Sequence, residues 1–140
     1  LLEQKRTELT PMIYHRAKHV ITENVRVQSF CKAMRSNNIV EMGRILNSSH
    51  ASLRDDFGVS SRELDVIVNL AQNHETCLGA RMMGAGFGGC ALAIIRRTNN
   101  NSFIQEIHRA YHDETKIQPE IFPVHSADGV HIIELRNLKS

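Results

Sequence analysis

The chain has 140 residues, of which 41% are hydrophobic and 23% are charged. This length and composition are typical of one soluble globular domain, so we treat 1–140 as a single domain. The formal net charge of only +2 gives no reason to expect a nucleic-acid partner or an acidic membrane surface. No apolar run reaches the roughly 20 residues of a membrane span, and the charged opening is unlike a signal peptide.

Three helical patterns occupy the first half of the chain. Thr10 can cap, and Pro11 can begin, a long helix that continues to about position 36. A second helix follows and should end near Gly58, because glycine commonly closes helices in the left-handed conformation. A third helix should begin at the capping box that Ser60 and Glu63 can form.

The second half of the chain predicts a sheet. Ser102 can cap a fourth helix, and Asp128-Gly129 is a hairpin signal. Four short apolar runs predict strands, at 78–83, 90–95, 120–125 and 130–135. The order ααα-ββ-α-ββ predicts an α+β sandwich, in which an antiparallel sheet packs against helices.

The cysteines argue against a disulfide framework. Cys31, Cys77 and Cys90 are an odd set without C-x-x-C spacing. Reduced, buried thiols in a cytoplasmic protein are the simpler interpretation, and no cysteine zinc site is expected.

Two histidine pairs have helical spacing but little else that would indicate a metal site. His15/His19 and His108/His112 are each four residues apart, a spacing that can present two imidazoles together. Neither pair has the glutamate of H-E-x-x-H, and no third ligand is evident. We expect solvated surface histidines and no bound metal.

The strongest chemical signal is a cluster of glycines, since four of the chain's eight lie between positions 84 and 89. Such a backbone can turn successive N–H groups toward an anion. Gly84, Gly86 and Gly89 formally spell the dinucleotide pattern G-x-G-x-x-G, but that pattern must open a helix, and here a strand is predicted. Taken alone, a glycine-rich turn between strands is more often structural than functional.

The residues around this turn carry a resemblance. The segment Arg81-Met82-Met83-Gly84-Ala85-Gly86-Phe87-Gly88-Gly89-Cys90 resembles the third signature motif of the GHMP small-molecule kinases, in its galactokinase form. Residues 16–27 are similar to the first long helix of the galactokinase C-terminal half, and 49–60 with 63–65 are similar to the segment that follows. Ala127-Asp128-Gly129 resembles the last turn of that family. The matches lie in the same order as in the family and extend over about 16–135.

The resemblance implies the GHMP kinase C-terminal domain, a ferredoxin-like sandwich. In this family the whole enzyme transfers the γ-phosphoryl group of MgATP to galactose, and its sugar motif, main phosphate loop and catalytic Asp and Arg lie in an N-terminal half. None of those motifs is present here, so the resemblance implies no catalytic residue in this chain. MgATP and galactose would be bound mainly by the N-terminal domain, which would also be the main partner. The resemblance places six residues in the lining of the cleft: Gly84, Ala85, Gly86, Phe87, Gly88 and Gly89.

Details of the motif lead to further expectations. Met83 stands where the family more often has Thr, and Ala85 where it often has Gly, so a hydroxyl contact at position 83 is lost. Phe87 is expected to pack the loop onto the domain. Arg81 could bind phosphate, but its place in a strand before the loop favours a structural salt bridge.

Two adjacent pairs are weak candidates for chemistry. Asp55 and Asp56 could form a carboxylate pair, but neighbours on a helix point about 100° apart. A solvent-facing helix end or a loop-pinning contact is favoured for them. Ser49 and His50 resemble a nucleophile and a base by adjacency alone.

Other functions remain open at this point. The chain could belong to another GHMP kinase, or be a regulatory or binding domain of the same fold, because fold does not determine function. An RNA-binding sheet is disfavoured, because the run at 90–95 holds no aromatic residue on which bases could stack.

Overall fold

The structure, a computed structural model, describes residues 2–97, 100–125, 127 and 129. A 3₁₀ helix at Glu3–Glu8 precedes three α-helices: α1 (Pro11–Arg35), α2 (Ile39–Ser52) and α3 (Arg62–Asn73). Two antiparallel strands follow, β1 (Cys77–Met83) and β2 (Cys90–Ile95), and then α4 (Asn100–Thr115). The α+β class is confirmed, and the predicted order holds as far as α4.

The predicted N-terminal cap is observed for α1 but not for α4. The Thr10 hydroxyl accepts a hydrogen bond from the Ile13 N–H at 3.4 Å, which confirms the predicted cap of α1. Helix α4 begins at Asn100, two residues before the predicted cap. The hydroxyl of Ser102 donates to the Glu106 carboxylate within the helix, so it does not cap.

The cap of α3 lies one residue later than predicted. Ser61 has an extended backbone, and its hydroxyl accepts from the Leu64 N–H at 3.3 Å. The predicted box of Ser60 and Glu63 is therefore wrong. The physical reason is position: the helix begins at Arg62, so Ser60 lies one residue before the cap, where its hydroxyl donates to Asp65 at 2.6 Å.

A π-helical turn at Leu53–Phe57 extends α2. It ends at Gly58, whose φ of 72° is left-handed and whose N–H donates to the Leu53 carbonyl at 2.9 Å. The predicted end of the helix at Gly58 is confirmed, although nothing in the sequence predicted the π-turn. The wider turn brings Asp56 and Phe57 against α1.

The backbone of helix α2 lies in direct contact with the backbone of β1, at the outer edge of the sheet. A Cβ atom on Gly43 would lie 1.9 Å from the Leu78 carbonyl oxygen, and one on Gly79 would lie 2.2 Å from the Gly43 carbonyl oxygen. Only glycine at both positions allows this approach.

Side chains of α2 then take up the outward amides of β1. The Ala80 N–H donates to Asn47 Oδ1 at 2.9 Å, and the Met82 N–H donates to His50 Nδ1 at 3.3 Å. Positions 43, 47 and 50 share one face of α2, and that face occupies the place that a third strand would take. An edge strand ordinarily leaves backbone N–H groups without acceptors. Here α2 supplies acceptors for two such groups on the outer edge of β1.

The core is largely aliphatic, as expected from a chain without tryptophan. The three cysteines are not part of its buried centre, because Cys31 and Cys77 are half-buried and Cys90 is exposed, so the prediction of buried thiols is wrong. One apolar cluster joins the sheet to α3 and α4 and is built on Val68, Ala71, Ala80, Phe103 and Ile107. A second cluster, of Leu53, Leu64 and Met82, lies beneath the π-turn. Within the described residues, no helix combines the length and the apolar content that crossing a membrane demands.

The predicted strand at 120–125 is not formed. Phe122 and Val124 are exposed, and no strand of the described sheet lies beside them. Pro123 also lacks the N–H that a ladder needs, which explains why an apolar run here does not make a strand by itself. The predicted strand at 130–135 and Asp128 of the predicted hairpin lie outside the described residues.

Candidate functional site

The glycine loop at 84–89 joins β1 to β2 through an unusual backbone path. Its four glycines have φ values of 88°, 86°, 139° and 95°, at Gly84, Gly86, Gly88 and Gly89. These values lie in the left-handed region, which glycine adopts without steric cost. Phe87 also lies there, with φ of 61°, at a cost of about 1–2 kcal/mol for a residue with a side chain. The glycines are therefore required by the shape of the loop.

The loop is seated on Val59 by its main chain. The Phe87 N–H donates to the Val59 carbonyl at 2.7 Å. A Cβ on Gly86 would lie 2.1 Å from the same oxygen. The ring of Phe87 is 76% exposed, so the expectation that this ring packs the loop onto the domain is wrong. The backbones approach so closely that no ring fits between the two segments.

Most amides of the loop have no acceptor among the residues that the structure describes. Apart from the Phe87 N–H, no N–H from 84 to 89 donates a hydrogen bond to another described residue. Backbone amides in a left-handed glycine turn can bind an anion or a polar oxygen. The loop therefore has donors available for a ligand.

Arg81 holds the strand that leads into the loop. Its Nη1 lies 3.0 Å from Glu23 Oε1 on α1, and its Nε donates to the Met82 carbonyl at 2.9 Å. The predicted structural salt bridge is confirmed. Glu23 also accepts from Ser49 of α2 and from Arg26 Nε, so one carboxylate joins α1, α2 and β1. Burial opposes ionisation of Glu23, but the hydrogen bonds from Ser49 and Arg26 outweigh it and hold the pKa of this carboxyl below its usual value.

Neither Val59 nor Glu23 belongs to a motif that would single it out for chemistry. Val59 reaches the loop because the π-turn and Gly58 redirect the chain. Glu23 lies 58 residues before Arg81. The sequence signals that pointed to this site were the glycine cluster and the resemblance of the segment around it to the third GHMP kinase motif.

Comparison with known proteins assigns the family. The family model described as GHMP kinases C terminal matches residues 30–113. The chain belongs to this family. A galactokinase of Staphylococcus carnosus (strain TM300) is 40% identical to it over 124 residues, which are 89% of this chain and 32% of that protein. A galactokinase of Roseiflexus sp. (strain RS-1) is 40% identical over 123 residues, 88% of this chain and 32% of that protein.

A solved structure agrees with the sequence matches. The crystal structure of Lactococcus lactis galactokinase complexed with galactose superposes with a TM-score of 0.78 at 35% identity, over 84% of this chain and 31% of that chain. The resemblance inferred from the motifs is thus confirmed. This GHMP kinase domain spans about a third of the length of the relatives that it matches.

The adjacent Ser49 and His50 are not a catalytic pair in this GHMP kinase domain. Ser49 points to Glu23 on α1. His50 is buried, accepts from the Met82 N–H through Nδ1, and places Nε2 at 3.3 Å from Asp65 Oδ1. Burial lowers the pKa of His50, against the opposing charge of Asp65. The hydroxyl and the imidazole serve different elements, in agreement with the expectation that adjacency was their only likeness to a nucleophile and base.

The histidine pairs differ from the expectation in one respect. His15 is exposed, but His19 is buried, with Nδ1 at 3.0 Å from Ser52 Oγ and its ring stacked on Phe57 at 4.7 Å between centroids. A surface position for His19 is therefore wrong, because the π-turn brings Phe57 over α1. Burial lowers the pKa of His19. The other pair, His108 and His112 on α4, is half-buried.

The paired aspartates separate into two roles. Asp55 faces solvent. Asp56 is largely buried and accepts from Lys18 Nζ at 2.9 Å, with His15 Nδ1 at 3.0 Å from the same oxygen. The loop-pinning contact that was favoured is confirmed for Asp56. Among the described residues, no group of three or more His, Cys, Asp or Glu is arranged to hold a metal ion.

Proposed function

We propose that the chain is the C-terminal domain of a galactokinase, an ATP-dependent sugar kinase. The intact enzyme would transfer the γ-phosphoryl group of MgATP to galactose and release galactose 1-phosphate. The observation that carries the proposal is about 40% identity to galactokinases over 88–89% of the chain. The structural similarity to a galactokinase complexed with galactose supports it further.

The contribution of this chain would be to position substrates. Phosphoryl transfer depends mainly on holding the reactants in line and on stabilising charge. Residues 84–89 would line one wall of the cleft, where their unpaired amides can donate to an oxygen of the sugar or of a phosphate. MgATP, when bound, would supply the phosphoryl group. The described residues fit an oxygen ligand at the loop, and none of them is proposed as a catalytic group.

The remaining parts of the enzyme would come from an N-terminal domain. Residues 1–140 would form one domain, and the N-terminal domain would hold most contacts to MgATP and galactose. The whole protein would act in the cytoplasm, in galactose metabolism. The lengths of the relatives support this division, because each is about three times as long as the matched region.

The test is sugar-dependent ADP release by the intact polypeptide that carries this chain. Galactose is compared with mevalonate, homoserine and N-acetylgalactosamine, each at equal concentration with MgATP. We expect turnover with galactose alone. Turnover with another of these alcohols would assign a different GHMP small-molecule kinase, and no turnover with any of them would favour a regulatory or binding domain of the same fold.

A further inference from the structure

Helix α1 presents polar side chains to its own domain. Its inward contacts include those of Lys18 with Asp56 at 2.9 Å, His19 with Ser52 at 3.0 Å, and Glu23 with Arg81 at 3.0 Å. A helix on the surface of a globular domain ordinarily shows the reverse, with apolar residues inside and polar ones outside. The core of this domain therefore does not explain the apolar residues of α1.

Six of those apolar residues form a stripe on the outward face. The outer stripe consists of Ile13, Ala17, Val20, Val27, Cys31 and Met34. Its four longest side chains, at 13, 20, 27 and 34, are 51%, 51%, 57% and 54% exposed. Exposed apolar residues scattered singly need no explanation, but a continuous stripe of them indicates a covering partner.

The spacing of the outer stripe indicates what kind of partner covers it. Its positions alternate by four and three residues. The position of this repeat that falls between Val20 and Val27 is occupied by a polar residue, Asn24. This is the 3.5-residue repeat by which two helices pack along their length. A helix of this size offers a seam of about 37 Å at 1.5 Å per residue. A single polar residue in such a seam fixes the register of the partner helix.

The charges beside the outer stripe select against a second copy of this chain. Arg16, Lys32 and Arg35 are exposed, and none of them makes an ion pair with another described residue. Two α1 helices packed through this stripe would bring the cations of both copies to one interface. Like charges across a helix pair are destabilising, so the complementary partner carries acidic residues.

We propose that the outer stripe binds an α-helix with an apolar seam and acidic flanks, located in the part of the intact polypeptide outside residues 1–140. This inference rests on the proposed function, because the matched region is only about 32% of the galactokinases and leaves two thirds to supply the helix. The long helix α1 then joins the two parts of the enzyme, in addition to any contact at the cleft.

Photo-crosslinking in the intact polypeptide tests the proposal. The crosslinking residue benzoylphenylalanine is placed at Val27 on the outer stripe, and in a matched variant at Val25. Val25 lies on the same helix and is 59% exposed, against 57% for Val27, but it is outside the stripe. We expect crosslinks from position 27 to a peptide of the same polypeptide outside 1–140, with a yield at least fivefold higher than from position 25. Crosslinks between two copies, equal yields from both positions, or none from position 27 would overturn it.

Two further measurements keep the result interpretable. Position 20 is a second site on the stripe for the same probe, should the variant at 27 not fold, and the substitution Arg16→Glu should lower the crosslinking yield at least threefold. Galactose-dependent ADP release is measured on the unsubstituted protein in parallel. Turnover without the crosslink would overturn the docking and leave the galactokinase assignment standing. The crosslink without galactose turnover would support the docking and remove the assignment.

Discussion

Gly86 is the residue on which the seat of the glycine loop depends. An alanine there would place Cβ 2.1 Å from the Val59 carbonyl, in addition to the cost of the left-handed φ. Gly84 has nearly the same φ, 88° against 86°, and a Cβ added there would meet no atom within 4 Å, so Gly84→Ala is a matched control. We expect Gly86→Ala to reduce the free energy of local opening by at least about 1 kcal/mol more than Gly84→Ala.

Hydrogen exchange at the Phe87 amide of the intact protein measures this difference. That amide is protected by its bond to Val59, so its exchange rate reports the opening of the loop. Equal exchange rates in the two variants would show that the loop is not seated on Val59.

His50 makes the stability of the domain depend on pH. Burial lowers the pKa of His50 below its ordinary value of about 6.5, so the folded state holds this imidazole neutral more strongly than the unfolded state does. Stability from this group is complete above about pH 6.5 and is lost as the pH falls through the folded-state pKa. Protonation also removes the Nδ1 acceptor of the Met82 N–H.

The variant His50→Asn separates the charge from the hydrogen bond. An asparagine Oδ1 can accept from the Met82 N–H and cannot be protonated. We expect the melting temperature of the intact protein to fall less between pH 8 and pH 5 in this variant than in the unsubstituted protein. Some fall should remain, because burial also lowers the pKa of His19. An unchanged pH dependence would exclude His50 as a source.

Between elements, Glu23 is the central contact, because one carboxylate joins α1, α2 and β1. Substitution by alanine leaves Arg81 and the Ser49 hydroxyl without their partner, so we expect a loss of about 2 kcal/mol in the free energy of unfolding. Glu41 is the control, since its ion pair with Arg44 is exposed and spans a single helical turn. Glu41→Ala should lower the free energy of unfolding much less, because solvent screens an exposed ion pair.

Thermal unfolding of the intact protein compares the two glutamate variants. A larger shift for Glu23→Ala is expected, together with slower galactose-dependent turnover, because Arg81 leads into the loop. Shifts of equal size would show that the three-element contact contributes little.

The elements that the sequence predicted well are those set by local chemistry. Thr10 and Pro11 begin α1, and Gly58 ends the second helical segment, because caps and left-handed glycines act within a few residues. The π-turn depends instead on contacts such as Lys18 with Asp56, which are 38 residues apart. The burial of His19 follows from that turn and was missed for the same reason. The run at 120–125 was apolar enough for a strand but lacks a partner strand among the described residues.

For the site, the glycine cluster predicted the unusual loop but not the residue that the loop packs against, Val59. Glycines in series signal an unusual backbone wherever they occur. The contact of the loop with Val59 arises from the tertiary path of the chain, and no spacing in the sequence encodes it. The exposed ring of Phe87 shows the same limit, because an aromatic residue in a loop can pack inward or face solvent, and only the tertiary path decides which.

On the scale of the whole molecule, the proposed function makes this chain a support for the cleft and places the chemistry elsewhere in the intact polypeptide. The glycine loop offers amide donors, but the described residues include no group positioned as a base near it. We therefore expect the isolated 140-residue chain to show no galactose-dependent ADP release, while the intact polypeptide turns over. Circular dichroism of the isolated chain serves as the control for folding. Turnover by a folded isolated chain would place catalytic groups within it.

Because α2 covers the outer edge of β1, a further strand cannot be added to the sheet on that side. Asn47 and His50 occupy its outward amides, and the glycine contact of α2 leaves no space for another backbone there. Two copies of the domain therefore cannot join through β1 into a continuous ribbon unless α2 first detaches. We therefore expect variants that destabilise α2 to form fibrils more readily, because detachment of this helix would expose the edge of β1.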